Sequence, residues 1–430
     1  MATLAATAGA WIAPAAAAAQ ADEPATVIHA GWLLAVPGEE PLTEVSVIVR
    51  GGVIEAVEEG FVTPSGADVV DLRGRYVMPG FIDSHVHLSS ELGPGRALDA
   101  VSLNSTDVVL DAARNARTTL MAGFTTVQDV GGALDGMTAL RDGIRDGDVV
   151  GPRLRVAGPG VTPTGGHGDS NGFSLEVLDL LGNRFACNGP ADCRRAVREL
   201  VRGGVDVIKI TATGGVLSNT AAGVEQQFFD DELAAIVEAA RMMGRKVTAH
   251  AHGATGVNSF LEAGGASIEH GTYLDDTSIR LFRETGAFLV PTVLAGVTVA
   301  EMAEGQEWMP APIREKSLLV GPQMLDMVRR AHEGGVRIAF GTDSGVSAHG
   351  DNAREFELLV EAGLTPMEAI RTATVHAAEH VEMSDRIGTI EVGKLADIVA
   401  SDGDPLADVS TLGDIGFVMK GGVVYKNRGG

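Results

Sequence analysis

Two hydrophobic rhythms divide the chain. At both ends, apolar and polar residues alternate with period two, as in "TVIHAGWLLAV", "VSVIVRGGVIEAVEEG" and "ADVVDLRGRYVMPG" near the start. "GTIEVGKLADIVASDGDP" and "DIGFVMKGGVVYKN" answer them near the end. Alternating β-branched runs joined by Gly pairs predict hairpins, so residues 22–77 and 384–430 are expected to build one small β-sandwich. Between them the rhythm changes. Apolar strand-like runs at 79–87, 123–130, 152–157, 204–211, 246–252, 266–270, 287–292 and 336–343 alternate with helical patterns such as 191–202, 231–243 and 316–334. Asp230 stands where the second of these helices needs its N-cap, and Gly244 where it should stop. Eight βα units predict a (β/α)8 barrel over 78–383, with reactive residues at the C-terminal ends of the strands. A doubly wound open sheet competes, but no G-x-G-x-x-G follows the first of these strands.

The opening "MATLAATAGAWIAPAAAAAQA" precedes both regions. Its alanine-rich run and small-residue end predict a signal peptide over residues 1–21, cut near Ala19 or Ala21, and hence an exported, periplasmic protein. No Lys or Arg precedes the apolar stretch, and without cleavage the protein would be cytoplasmic. The run is too weak for a lasting membrane anchor. A formal charge of −24 argues against nucleic acid and anionic membranes as partners. Cys187 and Cys193 are the only two cysteines. They are either a disulfide in an oxidising compartment or two separate thiols. A Cys-based zinc site is excluded.

The polar exceptions to the barrel pattern fall at strand ends. "PGFIDSHVHLSS" puts Asp83, His85 and His87 on one face of the first strand. "VDVIKI" ends the fourth in Lys209, "TAHAH" the fifth in His250 and His252, "IEH" the sixth in His270, and "FGTDSG" the eighth in Asp343. One such residue has an ordinary explanation as a hydrogen-bonded core histidine or a solvated lysine. Several aimed at one rim are costly to desolvate unless a cation binds them.

Imidazole nitrogens and carboxylate oxygens suit Zn²⁺, and a site with an open position is catalytic. His85, His87 and Asp343 are expected to hold one ion, and His250 and His270 a second. An ammonium at Lys209 would oppose both cations. Carboxylated by CO2 to N6-carboxylysine, it becomes an anionic carbamate that bridges them, and apolar walls lower its pKa in the required direction. Two such ions make a hydroxide at neutral pH and polarise a carbonyl, while Asp343 takes the proton and passes it to the leaving amine. Asp83 lies deeper and reads as a supporting carboxylate.

The ordered set "SHVHL", "VIKI", "TAHAHG", "IEHGT" and "GTDSG" resembles the amidohydrolase superfamily in its two-metal, carboxylated-lysine form. The resemblance runs from about residue 25 to the end, "GKLADIVASDGDP" included. It implies His85, His87, Lys209, His250, His270 and Asp343 as ligands. His252 is left without a metal role, facing substrate beside Asp343. "VTPTGGHG", "TATGGVLS" and "HAHGATGV" resemble the prolidase-like and imidazolonepropionase-like branch, close to bacterial amidohydrolases that cleave ochratoxin A. That branch implies a small-molecule amide or dipeptide substrate with a free carboxylate. His167, His252, Ser90, Tyr273 and the backbone N–H groups of Gly214 and Gly215 are the expected receptor. It also implies a homo-oligomer, up to an octamer. His349 is unassigned. The competing function is a one-metal cyclic-amide hydrolase or deaminase of the same fold, which needs no carbamate. Such deaminases carry a catalytic Glu after the fifth strand, where this chain has His250-Ala251-His252. A non-catalytic scaffold would have lost ligands, and none is lost here.

Overall fold

A computed structural model describes residues 24–218, 223–305 and 307–429. The expected signal peptide lies outside them. No helix among the described residues is long and apolar enough to cross a membrane.

Strands from the two ends meet in one seven-stranded sheet. It contains β1 (Thr26–Leu33), β2 (Leu42–Arg50), β3 (Val53–Glu59) and β4 (Asp68–Pro79). Numbering strands along the chain, its C-terminal members are β13 (Ile398–Ser401), β14 (Ile415–Lys420) and β15 (Val423–Asn427). Their order is β15-β14-β13-β4-β1-β2-β3, with β1 and β4 parallel and the other pairs antiparallel. Both Gly pairs turn hairpins: Gly51–Gly52 and Gly421–Gly422 all have positive φ, the backbone a two-residue turn demands.

The expected pair of facing sheets is corrected to a single rolled one. The long β4 joins the halves in one ladder by pairing with β1 on one side and β13 on the other. The far hairpins then close on each other, since Ala396 N–H donates to Gly52 O and Gly422 N–H to Ala396 O. Ile28, Val47 and Leu72 share their buried core with Ile398, Phe417 and Met419.

The middle of the chain forms two parallel sheets. One holds β5 (Phe81–Val86), β6 (Phe124–Asp129) and β7 (Arg153–Val156). The other runs, in order, through β8 (Ile208–Thr211), β9 (Val247–Gly253), β10 (Ser267–Tyr273), β11 (Phe288–Val290) and β12 (Arg337–Ile338). Their edges are linked by short bridges. Val161, just past β7, exchanges backbone bonds with Lys209 and Thr211 at 2.8 and 3.0 Å. Past β12, Asp343 N–H donates to His85 O at 2.8 Å and His87 N–H to Ser344 O at 2.7 Å. β5, β6 and β8 are buried along their whole length, as parallel strands covered on both faces are.

Two local expectations change. The helix after residue 229 has Phe229, not Asp230, at its cap, because Glu232 reaches back to accept from Phe229 N–H at 2.9 Å. The single helix expected over 316–334 is broken into Ala311–Val320, a 3₁₀ turn Gly321–Gln323 and Met324–Glu333. Pro322 removes a helix donor. Gly321 also packs so closely on the helix Val293–Gly305 that a Cβ would stand 2.7 Å from Gly296 O.

Candidate metal centre and active-site cavity

The polar strand ends converge. His85 Nε2 lies 3.3 Å from His87 Nε2, and Asp343 Oδ1 lies 3.4 and 3.2 Å from those two nitrogens. These three residues form one group whose ligand atoms all lie within 4.8 Å of one another. His250, His252 and His270 form a second such group, and their rings lie 4.6 to 5.0 Å apart between centroids. His85 and His270 connect the groups at 5.3 Å.

Hydrogen bonds decide which nitrogen each ring presents. Glu269 Oε2 accepts from His85 Nδ1 at 2.7 Å, so His85 Nε2 carries the lone pair facing His87. Thr292 gives its hydroxyl proton to Pro291 O and accepts from His270 Nδ1, each at 2.7 Å. Thr272 likewise points its proton at Met324 Sδ and accepts from His252 Nδ1 at 2.7 Å. His250 is reversed: its Nε2 meets Gly214 O at 3.3 Å, leaving Nδ1 free. Each partner fixes one tautomer. The free nitrogens of His85, His250, His252 and His270 therefore face one another across the site, and Asp343 Oδ1, 3.2 Å from His87 Nε2, is buried with no side-chain or backbone donor other than these imidazoles. A divalent cation satisfies that donor set.

The backbone is bent into place for this. His270, Thr292 and Asp343 all adopt positive φ, at 73°, 52° and 57°. Non-glycine residues there cost about 1–3 kcal/mol each and cluster at functional sites. Asp83 ties the rim together, accepting from His85 N–H and Thr342 N–H at 3.1 Å, Thr342 Oγ1 at 2.6 Å and Asn352 Nδ2 at 2.8 Å. Burial raises its pKa to about 6. Gly131 lies so close to His87 that a Cβ would stand 2.3 Å from Nδ1.

Burial sets the charges. It holds His250 and His270 well below the usual imidazole range, with neighbouring rings adding to the effect. It brings His252 to about 4 and His167 to about 3. Neutral imidazoles are the form that binds metal. Lys209 is buried, and desolvation pulls its pKa down against the opposing fields of Glu269 and Asp343.

A cavity of about 750 Å³ opens over both groups. Ser90, His167, His252 and Lys209 line it, as do Trp308, Met309, Ile313 and Val320 from an apolar wall. The His167 ring lies 4.2 Å from that of His250 in a tilted contact, with Nδ1 2.5 Å from Ser218 Oγ. His349 is accounted for: its Nε2 holds Ser90 O at 3.1 Å and pins the first loop.

Two parts of the expected receptor are corrected. Tyr273 is 36% exposed and does not line the cavity, because its strand carries it past the rim. Gly214 N–H is spent on Glu225 O at 2.9 Å. Gly215 backs the His167 ring, and its carbonyl accepts from Lys316 Nζ at 2.9 Å.

Several residues escaped sequence reasoning. Glu269 had a legible signal, a carboxylate in the apolar "ASIEH". Thr292, Thr272 and Asn352 had none. Arg96, on the cavity wall, lies in the first loop, where no periodicity marks it.

Residues 76–425 match the Amidohydrolase family model. The chain belongs to the amidohydrolase family. This amidohydrolase is 31% identical to ochratoxinase from Aspergillus niger over 94% of this chain and 87% of that one. It is 27% identical to imidazolonepropionase from Streptomyces griseus over 84% and 86% of the respective chains. Among solved structures it resembles a Xaa-Pro dipeptidase with methionine bound in its active site. That likeness has a TM-score of 0.89 and 39% identity, covering 94% of this chain and all of the other. The protein is a hydrolase acting on amide bonds.

Proposed function

We propose that this amidohydrolase uses two divalent metal ions, most simply zinc, to cleave N-acyl amino acids or dipeptides that end in a free carboxylate. The observation that carries the reading is the two facing ligand groups with buried Lys209 beside them. His85, His87 and Asp343 would hold one ion, and His250 and His270 the other. Lys209, carboxylated to N6-carboxylysine, would supply a ligand to both. His252, which the geometry also brings into ligand range, faces substrate. The two parallel sheets with their linking bridges are read as one closed (β/α)8 barrel, whose strand ends form this rim.

Bound there, the ions supply Lewis acidity that activates water and polarises the scissile carbonyl. The chain does the rest. Asp343 accepts the proton of the attacking water and returns it to the leaving nitrogen. Glu269, Thr272 and Thr292 keep His85, His252 and His270 in their working tautomers. His167 and His252 present polar edges to the substrate, and the Trp308–Val320 wall takes its apolar part.

The likeness to ochratoxinase and a Xaa-Pro dipeptidase supports an amide to an amino acid as the scissile bond, ochratoxin A included. Export to the periplasm and a homo-oligomeric state, up to an octamer, complete the reading. Metal analysis and a screen of N-acyl-Phe, N-acyl-Leu, X-Pro dipeptides and ochratoxin A test it. Two zinc-class ions per chain and hydrolysis of these acids are expected. Metal-free active protein, or equal rates on uncharged amides, would overturn it.

A further inference from the structure

The cavity wall carries one residue whose chemistry the metal centre does not use. Arg96 lines the cavity from the loop that follows His85 and His87, where the helix Arg96–Ser102 begins. Among the described residues its guanidinium makes no hydrogen bond or ion pair, although it lies within the electrostatic reach of Asp343. Of the other charged groups here, Asp343 and Lys209 belong to the proposed metal centre, and Asp169 and Lys316 are engaged. Asp169 accepts from the backbone N–H groups of Gly165, Ser170 and Asn183. Asp343 faces His85 and His87. Lys316, behind Gly215 and Ser218, gives its ammonium to their carbonyls at 2.9 and 2.8 Å.

An arginine is charged at every pH the protein meets and offers a planar fork that fits a carboxylate through two parallel bonds. The imidazoles expected to bind the carboxylate are less suited: His252 and His167 have each committed Nδ1, to Thr272 and Ser218, and keep a single nitrogen.

We infer that Arg96 is the carboxylate anchor of this site, selecting acyl amino acids and dipeptides that end in a free acid over their amides. This deepens the function proposed above and rests on it for the substrate class. The anchor holds the end of the substrate that does not react, so its removal acts on KM more than on kcat.

The test compares the zinc-loaded wild type with Arg96→Gln and Arg96→Lys on N-acetyl-L-phenylalanine and on its C-terminal amide. For Arg96→Gln the loss in kcat/KM on the acid exceeds the loss on the amide by roughly tenfold or more, chiefly through KM. Arg96→Lys, which keeps the charge but not the fork, falls between. Equal losses on both substrates, or none, overturn the inference. Calorimetry with L-phenylalanine and L-phenylalaninamide separates the two claims. If the wild type hydrolyses neither acid nor amide, the proposed function falls. Arg96 is then judged by binding alone: roughly tenfold weaker binding of L-phenylalanine to Arg96→Gln, and not of the amide, supports it. Unchanged binding of both overturns it.

Discussion

Glu269 Oε2 lies 2.7 Å from His85 Nδ1, with both side chains fully buried. Burial opposes the charge on Glu269, but the ammonium of unmodified Lys209 and the His85 N–H hold its pKa down at about 2, so before Lys209 is carboxylated it is ionised and can only accept. Glu269→Gln keeps the shape but can present its NH2 group to His85 and release the tautomer. Zinc affinity is expected to fall on the order of 10–100-fold, measured by competition with a chromophoric chelator. Unchanged affinity would remove Glu269 from the centre.

Lys209→Ala tests the bridging carbamate. The variant is expected to retain one metal ion where the wild type holds two, with activity reduced at least about a hundredfold. Elemental analysis beside the rate is decisive. Full activity with one ion would favour the one-metal reading.

Cys187 and Cys193 are joined in a disulfide, which settles the alternative left open by their spacing. Closing so short a loop should contribute about 2 kcal/mol. The Cys187→Ala/Cys193→Ala double variant should show that loss in urea unfolding, with metal content intact. A loss of metal instead would mean that the loop shapes the site.

Glu355 gives a pH signature. Burial raises its pKa to about 8, while its two oxygens cap the helix Val293–Gly305 through Val293 and Leu294 N–H. An acid raised from 4.5 binds more protons folded than unfolded between those values. Its contribution to stability therefore falls as pH rises through that window. Wild type should lose thermal stability relative to Glu355→Gln from pH 5 to 9. A constant difference between the two melting curves would refute the assignment.

The candidate metal centre was legible in the chain because the residues proposed as its ligands break an apolar pattern at fixed places. Histidines, a lysine and an aspartate at strand ends are expensive without a purpose, and periodicity alone locates strand ends. The hairpins were legible for a related reason: a Gly pair between alternating runs admits few backbones. The substrate end was not. Tyr273 continues the same strand as His270 yet passes beyond the rim, and Gly214 spends its N–H on Glu225. Neither outcome depends on residue type.

By itself the sequence determined the alternation of strands and helices, the buried polar set and the chemistry that set can perform. All of these are local choices, decided by periodicity and the cost of desolvation. Only the tertiary structure decided that the terminal strands form one rolled sheet, that Glu269 and the threonines choose the tautomers of His85, His252 and His270, and that Arg96 lines the cavity. Those are relations between segments far apart in the chain, set by ladder register, loop path and packing, and no local pattern encodes them.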